Sequence, residues 1–360
     1  MKILVIHATA GAGHKKAAEA IYNGLQKAGS HEAQLVDALD YTNPFFKLTY
    51  PATYTLLVTK FSFLWGFFFA LLDIPWLQPA VHFVRRCYNG FNARALEQFL
   101  KQEQFDCVIT TQFLSAEVTA YLKRTAQIKS KVVCVVTDFD VHRIWVNKGI
   151  DHYACASDFT KEKLIQIGVP ASHVSVTGIP TDAKFAVSYD TSELKRKLGL
   201  KEGMLTALMA TGSFGMGPIA DLVQALKGYQ LIVVCGHNKK LYEDLKPLAN
   251  DQIHILPLVN NMHELMAVSD VMVTKPGGLS IAEALVMRLP MIFFSAIPGQ
   301  EMGNIHVLKK YHVADDQLNV PQIISRLEDL NASPMSLDQL RQQMTVLSKP
   351  NAVKDIIALL

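Results

Sequence analysis

Twice in this chain an apolar run of strand length ends in a glycine turn and passes directly into a helical pattern. Few folds accept that unit. Near the N-terminus the run is Lys2 to Ala8, the turn is Thr9 to His14, and the helix covers about Lys15 to Lys27, with Ala17, Ala18, Ile21 and Leu25 at helical spacing. In the C-terminal half a strand ends at Asp270 to Thr274, the turn is Gly277-Gly278, and a helix opens near Ser280 and runs to about Arg288. Pro290 then leads a second apolar strand, MIFFSA, into a loop carrying Gly299-Gln300-Glu301. Strands joined through helices pair in parallel and need helices on both faces.

The same alternation fills the rest of the chain. Apolar runs at 106–111, 131–137 and 151–156 alternate with helical patterns at 92–104, 114–127 and 158–167. After Gly178-Ile179-Pro180 the pattern loosens into a polar stretch reaching about Ser192, and the rhythm then restarts at Leu205 to Ala210, Leu231 to Cys235, His254 to Leu256, Val271 to Thr274 and Met291 to Phe294. The expected architecture is α/β: two doubly wound, Rossmann-like domains facing each other across a cleft, covering 1–183 and 184–337. A helical tail over 338–360, broken near Pro350, is expected to return to the first domain.

Composition excludes several classes. Half of the 360 residues are apolar and 19% are charged, so the chain is globular rather than disordered. A net charge of +3 argues against a nucleic-acid partner. The five cysteines are scattered without a CxxC pair and read as core residues in a reducing compartment. The first residues have too short an apolar run for a signal peptide.

One segment breaks the rhythm. Residues 41–91 hold 15 of the chain's 32 aromatics, and FSFLWGFFFALL (61–72) carries no charge. Twelve residues fall short of the roughly 18–20 that span a bilayer, and Asp73, Pro75 and Pro79 follow. With Lys47, Lys60, Arg85 and Arg86 around it and Trp65 and Trp76 within it, the segment suits an anionic membrane surface, lying in the interface plane. A helical hairpin buried on the sheet or in a dimer contact is the other reading.

Several residues carry candidate chemistry. Gly277-Gly278 and the helix behind them offer unpaired N–H groups and a positive dipole end to a phosphate, while Glu283, one turn in, is within reach of ribose hydroxyls. A second glycine loop, ATGSFGMGPI (210–219), has Gly212, Gly215 and Gly217 after a strand; a structural turn explains it equally well. His14 closes the first glycine turn at a helix start, which would keep its imidazole neutral and able to accept a proton; a solvated cap is the alternative. Asp37 and Asp40 follow strand two and read as a base or as loop caps. Asp138-Phe139-Asp140 has the form of a metal-binding DxD, but no third ligand is placed with it, and no metal is expected.

The motifs GAGHKKAAEAI (11–21), VVTDFDVHRIWV (135–146), TGIPTDAKF (177–185), GSFGMGPI (212–219), TKPGGLSIAEAL and PGQEMGN follow one another in order and cover nearly the whole chain. Together they resemble the monogalactosyldiacylglycerol synthases and the bacterial processive diacylglycerol glucosyltransferases, and more distantly the lipid-II-forming N-acetylglucosaminyl transferase. TKPGG looks like the glucosyltransferases, whereas FGMGPI and GQEMGN look like the galactosyltransferases, so the sugar stays open. The resemblance implies a GT-B glycosyltransferase that binds a UDP-hexose mostly on its C-terminal domain and a lipid acceptor on its N-terminal one. It further implies an inverting, metal-independent reaction at the cytoplasmic face of the membrane.

Residue by residue, the resemblance places His14 near the acceptor and the reacting centre, Gly13 among the donor-binding residues, and Gly212, Ser213 and Phe214 in the donor loop. Gly277, Gly278 and Ser280 match the diphosphate turn and Glu283 the ribose-binding acid; Gln300 and Glu301 match the residues holding the hexose hydroxyls. The expected reaction passes a hexose from UDP to diacylglycerol, with His14 or a carboxylate such as Asp37, Asp40 or Asp73 taking the proton. A polyprenyl or soluble acceptor, and a non-catalytic nucleotide-sugar sensor, are the rival functions.

Overall fold

The computed structural model describes the 360-residue chain apart from Ala10, Thr211, residues 213–216 and Lys227. It divides into two compact units. The first comprises Met1–Asp182, Ile297–Gly303 and Asn351–Leu360; the second comprises Ala183–Ala296 and Asn304–Pro350.

The first unit is built on a parallel six-stranded sheet in the order β2-β1-β3-β4-β5-β6. Its strands are β1 (Lys2–His7), β2 (Glu32–Asp37), β3 (Cys107–Thr110), β4 (Lys131–Val135), β5 (His152–Cys155) and β6 (Val174–Val176). β1 is apolar at nearly every position because both of its faces are covered. Leu4 and Ile6 pack with Leu96, Val108 and Val118 on one side, while Ile3 and Val5 pack with Ala18, Ile21 and Leu25 of helix α1 (Ala12–Ala28) on the other. Gly29, in the left-handed conformation at φ 67°, ends α1 and returns two N–H bonds to its last carbonyls. The chain's last residues close this second face. The Ala352–Ile357 helix lies on α1, with Val353 against the open side of Gly24 and Ile356 buried beside Ile3 and Ile21. The Pro334–Gln343 helix, by contrast, stays with the second unit, so the tail divides at Asn351.

Residues 41–91 form three helices: α2 (Pro44–Lys60), α3 (Ser62–Leu71) and α4 (Gln78–Asn92). The axes of α2 and α3 differ by 111° across the break at Phe61, and no single helix among the described residues is long and apolar enough to cross a membrane. No residue of α3 is buried. Phe63 is 85% exposed, Trp76 77% and Phe45 76%, and Phe67, Phe68, Phe83 and Phe91 also face outward. Of the cations expected to flank this apolar body, Lys60 is exposed at the end of α2 and the other three are engaged by carboxylates. Arg85 turns inward to Glu117 at 2.6 Å and donates to the Ile144 carbonyl; Arg86 pairs with Glu97 at 2.6 Å and lies 3.3 Å from the Tyr121 ring centroid; Lys47 pairs with Asp40 at 2.7 Å. The reason is amphipathicity. α4 lays its basic face on the acidic side chains of the neighbouring helices and leaves its aromatic face outside.

The second unit holds a parallel five-stranded sheet in the order β11-β10-β7-β8-β9, from β7 (Thr206–Ala210), β8 (Gln230–Val234), β9 (Ile253–Leu256), β10 (Val271–Thr274) and β11 (Met291–Phe293). Its core joins Ala207, Met209, Leu231, Val233, Val271 and Val273 to Leu222, Ile323, Leu327 and Leu337 on the covering helices.

Each sheet has a point where its strand order reverses direction, between β1 and β3 in the first and between β7 and β10 in the second. Helices after the two central strands leave on opposite faces there, and a crevice opens beyond the carboxyl ends.

Candidate active site

In the first unit the switch point is occupied by His14, in the first turn of α1, with Gly13 before it. Its Nδ1 lies 2.8 Å from the carbonyl oxygen of Thr111, just past β3, and 2.9 Å from Oγ1 of Thr137, two residues past β4. Thr111 returns a bond from its own hydroxyl to the His14 carbonyl at 2.9 Å. Three neighbouring strand ends therefore converge on one imidazole. A carbonyl can only accept, so Nδ1 carries the proton and Nε2 keeps the lone pair. Burial, with a smaller push from the nearby His7, lowers the imidazole to about 4 against the bonding from Thr111. Desolvation, rather than the helix end invoked from sequence, is the leading cause. His14 is uncharged at neutral pH and presents Nε2 as an acceptor.

The carboxylates considered beside it are otherwise engaged. Asp37 accepts from Thr9 N–H at 3.3 Å, Thr9 Oγ1 at 2.5 Å and Leu39 N–H at 3.0 Å, capping the turn after β2, and lies 3.9 Å from His7. Asp40 is exposed and paired with Lys47. Asp73 accepts from the Arg143 N–H at 2.9 Å and tethers the chain after α3. None of the three bonds to His14, whose partners are Thr111 and Thr137. Asp140 pairs with Lys163 at 2.6 Å, and among the described residues no group of three or more His, Cys, Asp or Glu is arranged to hold a metal ion.

The segment Ile297–Gly303 also belongs to this unit, and it carries two residues expected to read a sugar. Gln300 Nε2 lies 3.1 and 3.2 Å from the two oxygens of Asp138, and Glu301 accepts the Ile297 N–H at 2.7 Å.

In the second unit, Gly212 (φ 69°) follows β7, and Ser213 and Phe214 lie outside the described residues. The adjacent strand β10 leads through Lys275, Pro276 and Gly277 into a helix spanning Gly278–Met287, two residues earlier than the periodicity predicts. Gly277 is its N-cap, so the turn starts a helix rather than ending one. Among the described residues no side chain caps that end and nothing lies within 4 Å of where a Cβ on Gly277 would sit, and its first turn has no acidic residue. Open N–H groups at the positive end of a ten-residue helix suit a diphosphate. Ser280 and Glu283 are half-buried on that helix. Thr274 Oγ1 donates to the Ala210 carbonyl at 2.5 Å, tying the two strand ends together, and the fully buried Asn304 donates to the Pro276 carbonyl at 3.0 Å.

Residues 14–181 match the family model of monogalactosyldiacylglycerol (MGDG) synthase, and residues 219–359 match that of the glycosyltransferase family 28 C-terminal domain. Over 99% of its length the chain is 29% identical to the processive diacylglycerol beta-glucosyltransferases of Bacillus cereus and Bacillus pumilus, spanning 92% and 93% of those proteins. The two matches follow one another along the chain, the MGDG synthase model on its N-terminal part and the family 28 C-terminal model on its C-terminal part.

Solved structures place the chain in the GT-B fold. It is similar to MurG of Acinetobacter baumannii (TM-score 0.62, 13% identity, 99% of this chain and 98% of that one) and to Anabaena HepE in complex with UDP (TM-score 0.60, 14%, 100% and 99%). The same fold serves the UDP-GlcNAc 2-epimerase of Neisseria meningitidis (TM-score 0.60, 15%, 100% and 99%), so fold alone does not separate transfer from epimerisation.

Sequence reasoning missed Thr111 and Thr137, which orient the histidine, and the helix-fixing role of Asn304. The one available signal for the threonines was their place at the carboxyl ends of strands flanking the switch point.

Proposed function

We propose that the protein moves a hexose from UDP-glucose or UDP-galactose to the free hydroxyl of diacylglycerol, forming a β-glycosyl diacylglycerol and releasing UDP. The observation that carries the reading is His14: an uncharged imidazole with Nε2 held as an acceptor at a switch point, in a chain similar over its full length to diacylglycerol glucosyltransferases. The names of those relatives favour glucose.

In this mechanism Nε2 takes the acceptor's hydroxyl proton while the oxygen attacks the anomeric carbon from the side opposite UDP. The bond from that carbon to the diphosphate oxygen breaks, and the configuration inverts. Negative charge gathering on UDP meets the N–H groups at Gly277, Gly278 and Ser280 and the loop at Gly212, with no metal ion required. Glu283 holds the ribose hydroxyls, and Gln300 and Glu301 the hexose.

The acceptor arrives from a membrane. Docking takes place from the cytoplasmic side, and the exposed aromatics of α2, α3 and α4 support helices lying in the interface plane. With Arg85 and Arg86 turned inward, apolar insertion contributes more than attraction to anionic lipid. That aromatic face also favours a lipid acceptor over a soluble one and over epimerisation.

The test offers UDP-glucose and UDP-galactose in parallel to the protein with diacylglycerol vesicles and analyses lipid products by mass and thin-layer mobility. One β-hexosyl diacylglycerol and stoichiometric UDP are expected; no glycolipid from either donor refutes the proposal. His14→Ala is expected to cut turnover by about 10²–10⁴-fold with UDP affinity unchanged. Collapse of UDP binding in that variant would make His14 a donor ligand instead. Glu283→Ala should do the reverse, weakening UDP about tenfold or more.

A further inference from the structure

Asp138 stands just past β4 and is 5% exposed, yet no catalytic step uses it. A buried carboxylate needs partners, and this one receives the Gln300 side-chain amide at nearly equal distances, 3.1 Å to one oxygen and 3.2 Å to the other. A carboxylate offers only acceptors, so the Nε2 end of the amide must face it. The Oε1 end is thereby turned the other way.

The backbone beneath Gln300 is fixed independently. Glu301 accepts the Ile297 N–H, closing the turn at its start. A Cβ added to Gly66 of α3 would lie 2.8 Å from Pro298, and one on Gly299 (φ 82°) would lie 2.6 Å from the Phe69 ring. A Cβ on Gly303 would lie 2.8 Å from a carboxylate oxygen of Asp140, itself held by Lys163. Three glycines thus allow close approach on both sides of Gln300, which leaves its side-chain torsions as the remaining freedom, and Asp138 removes it.

We infer that Asp138 is a positioning residue for donor-sugar recognition: it locks the Gln300 amide so that Oε1, a hydrogen-bond acceptor, is the atom offered to a hexose hydroxyl. The inference rests on the proposed role of Gln300. A free glutamine can turn over and present either a donor or an acceptor, and so tolerates hydroxyls in several orientations. A locked one accepts only from a hydroxyl placed within reach of its fixed Oε1, and the axial and equatorial 4-hydroxyls of galactose and glucose differ in the position of their oxygen. Asp138 therefore acts on sugar choice without touching the sugar.

The test compares the protein, Asp138→Asn and the exchange Asp138→Asn with Gln300→Glu. Steady-state rates with UDP-glucose and UDP-galactose are measured on diacylglycerol vesicles, and UDP binding is measured by calorimetry. Asp138→Asn is expected to raise KM for the preferred donor about tenfold, to bring the two donors' kcat/KM values closer together, and to leave UDP affinity unchanged. The exchange rebuilds an amide–carboxylate pair with the acceptor again outward, and it should recover most of the lost selectivity. An unaltered donor ratio in Asp138→Asn, or a loss of UDP affinity as large as the loss for the sugar nucleotide, overturns the inference. If Asp138→Asn does not fold, the exchange variant decides: folded with wild-type-like selectivity it supports the lock, folded without it the lock is wrong. Gln300→Ala separates the two levels. Should it shift the donor KM while Asp138→Asn does not, only the lock fails; should it leave the donor KM unchanged, the role of Gln300 fails and the lock with it.

Discussion

Acid should weaken this protein through His14, and the size of the effect follows from the site. The imidazole falls from 6.5 in an unfolded chain to about 4 in the fold, chiefly by burial. Above pH 6.5 neither state binds the proton and the group is neutral in stability terms. Below it the unfolded chain takes up a proton that the folded protein refuses, so stability is lost between about pH 6.5 and 4 and then levels off. At about 1.4 kcal/mol per pH unit the full gap is roughly 3.4 kcal/mol; the side chain is partly solvent-accessible, so roughly 2–3 kcal/mol is the expected loss. The assay is urea unfolding at pH 7, 6, 5 and 4 for the wild type and for His14→Gln. His7, His82, His142 and His152 are also lowered and titrate in both proteins, so the difference between the two curves isolates His14. The stability gap between the proteins should change by roughly 2–3 kcal/mol across that range, in favour of the variant as pH falls. A gap that stays constant from pH 7 to 4 would refute the buried neutral imidazole, and with it the assignment of Nε2 as a free acceptor.

Other outcomes follow from the same geometry. Gly277→Asp places a good N-cap where no described residue lies within 4 Å, so thermal stability should hold or rise by about 0.5–1 kcal/mol while UDP binding, measured by calorimetry, is lost to the added negative charge. The triple change Phe63→Ser, Phe67→Ser and Phe68→Ser removes exposed side chains; the melting temperature should stay put while vesicle partitioning in flotation falls by a hundredfold or more, on the order of 1.5 kcal/mol or more per ring inserted. Phosphatidylcholine vesicles and anionic vesicles should bind the wild type within about tenfold of each other, because Arg85 and Arg86 are held inside the fold. Glu117→Ala strands the inward-turned guanidinium that Arg85 extends from α4 and should cost about 3–5 kcal/mol in denaturant unfolding, whereas Glu117→Gln, which keeps the shape, should cost less.

Local chemistry was enough to write both strand–glycine–helix units, the parallel sheets they imply and the apolar segment at 41–91. Those features depend on residues close together in sequence: an apolar run buried on both faces, a glycine where a chain must turn, a helical spacing of alanine and leucine. The ordered motifs carried the resemblance to the diacylglycerol glycosyltransferases as well. Folding added what depends on distance along the chain. His14 finds Thr111 and Thr137 across 97 and 123 residues, and the pairing of Gln300 with Asp138 spans 162. The sequence also could not say which way α4 would turn its charges, because Arg85 and Arg86 choose between lipid and Glu117 or Glu97 only once those helices pack. Side-chain identity sets what a group can do, but its protonation, its tautomer and its partner are set by neighbours that only the folded chain supplies.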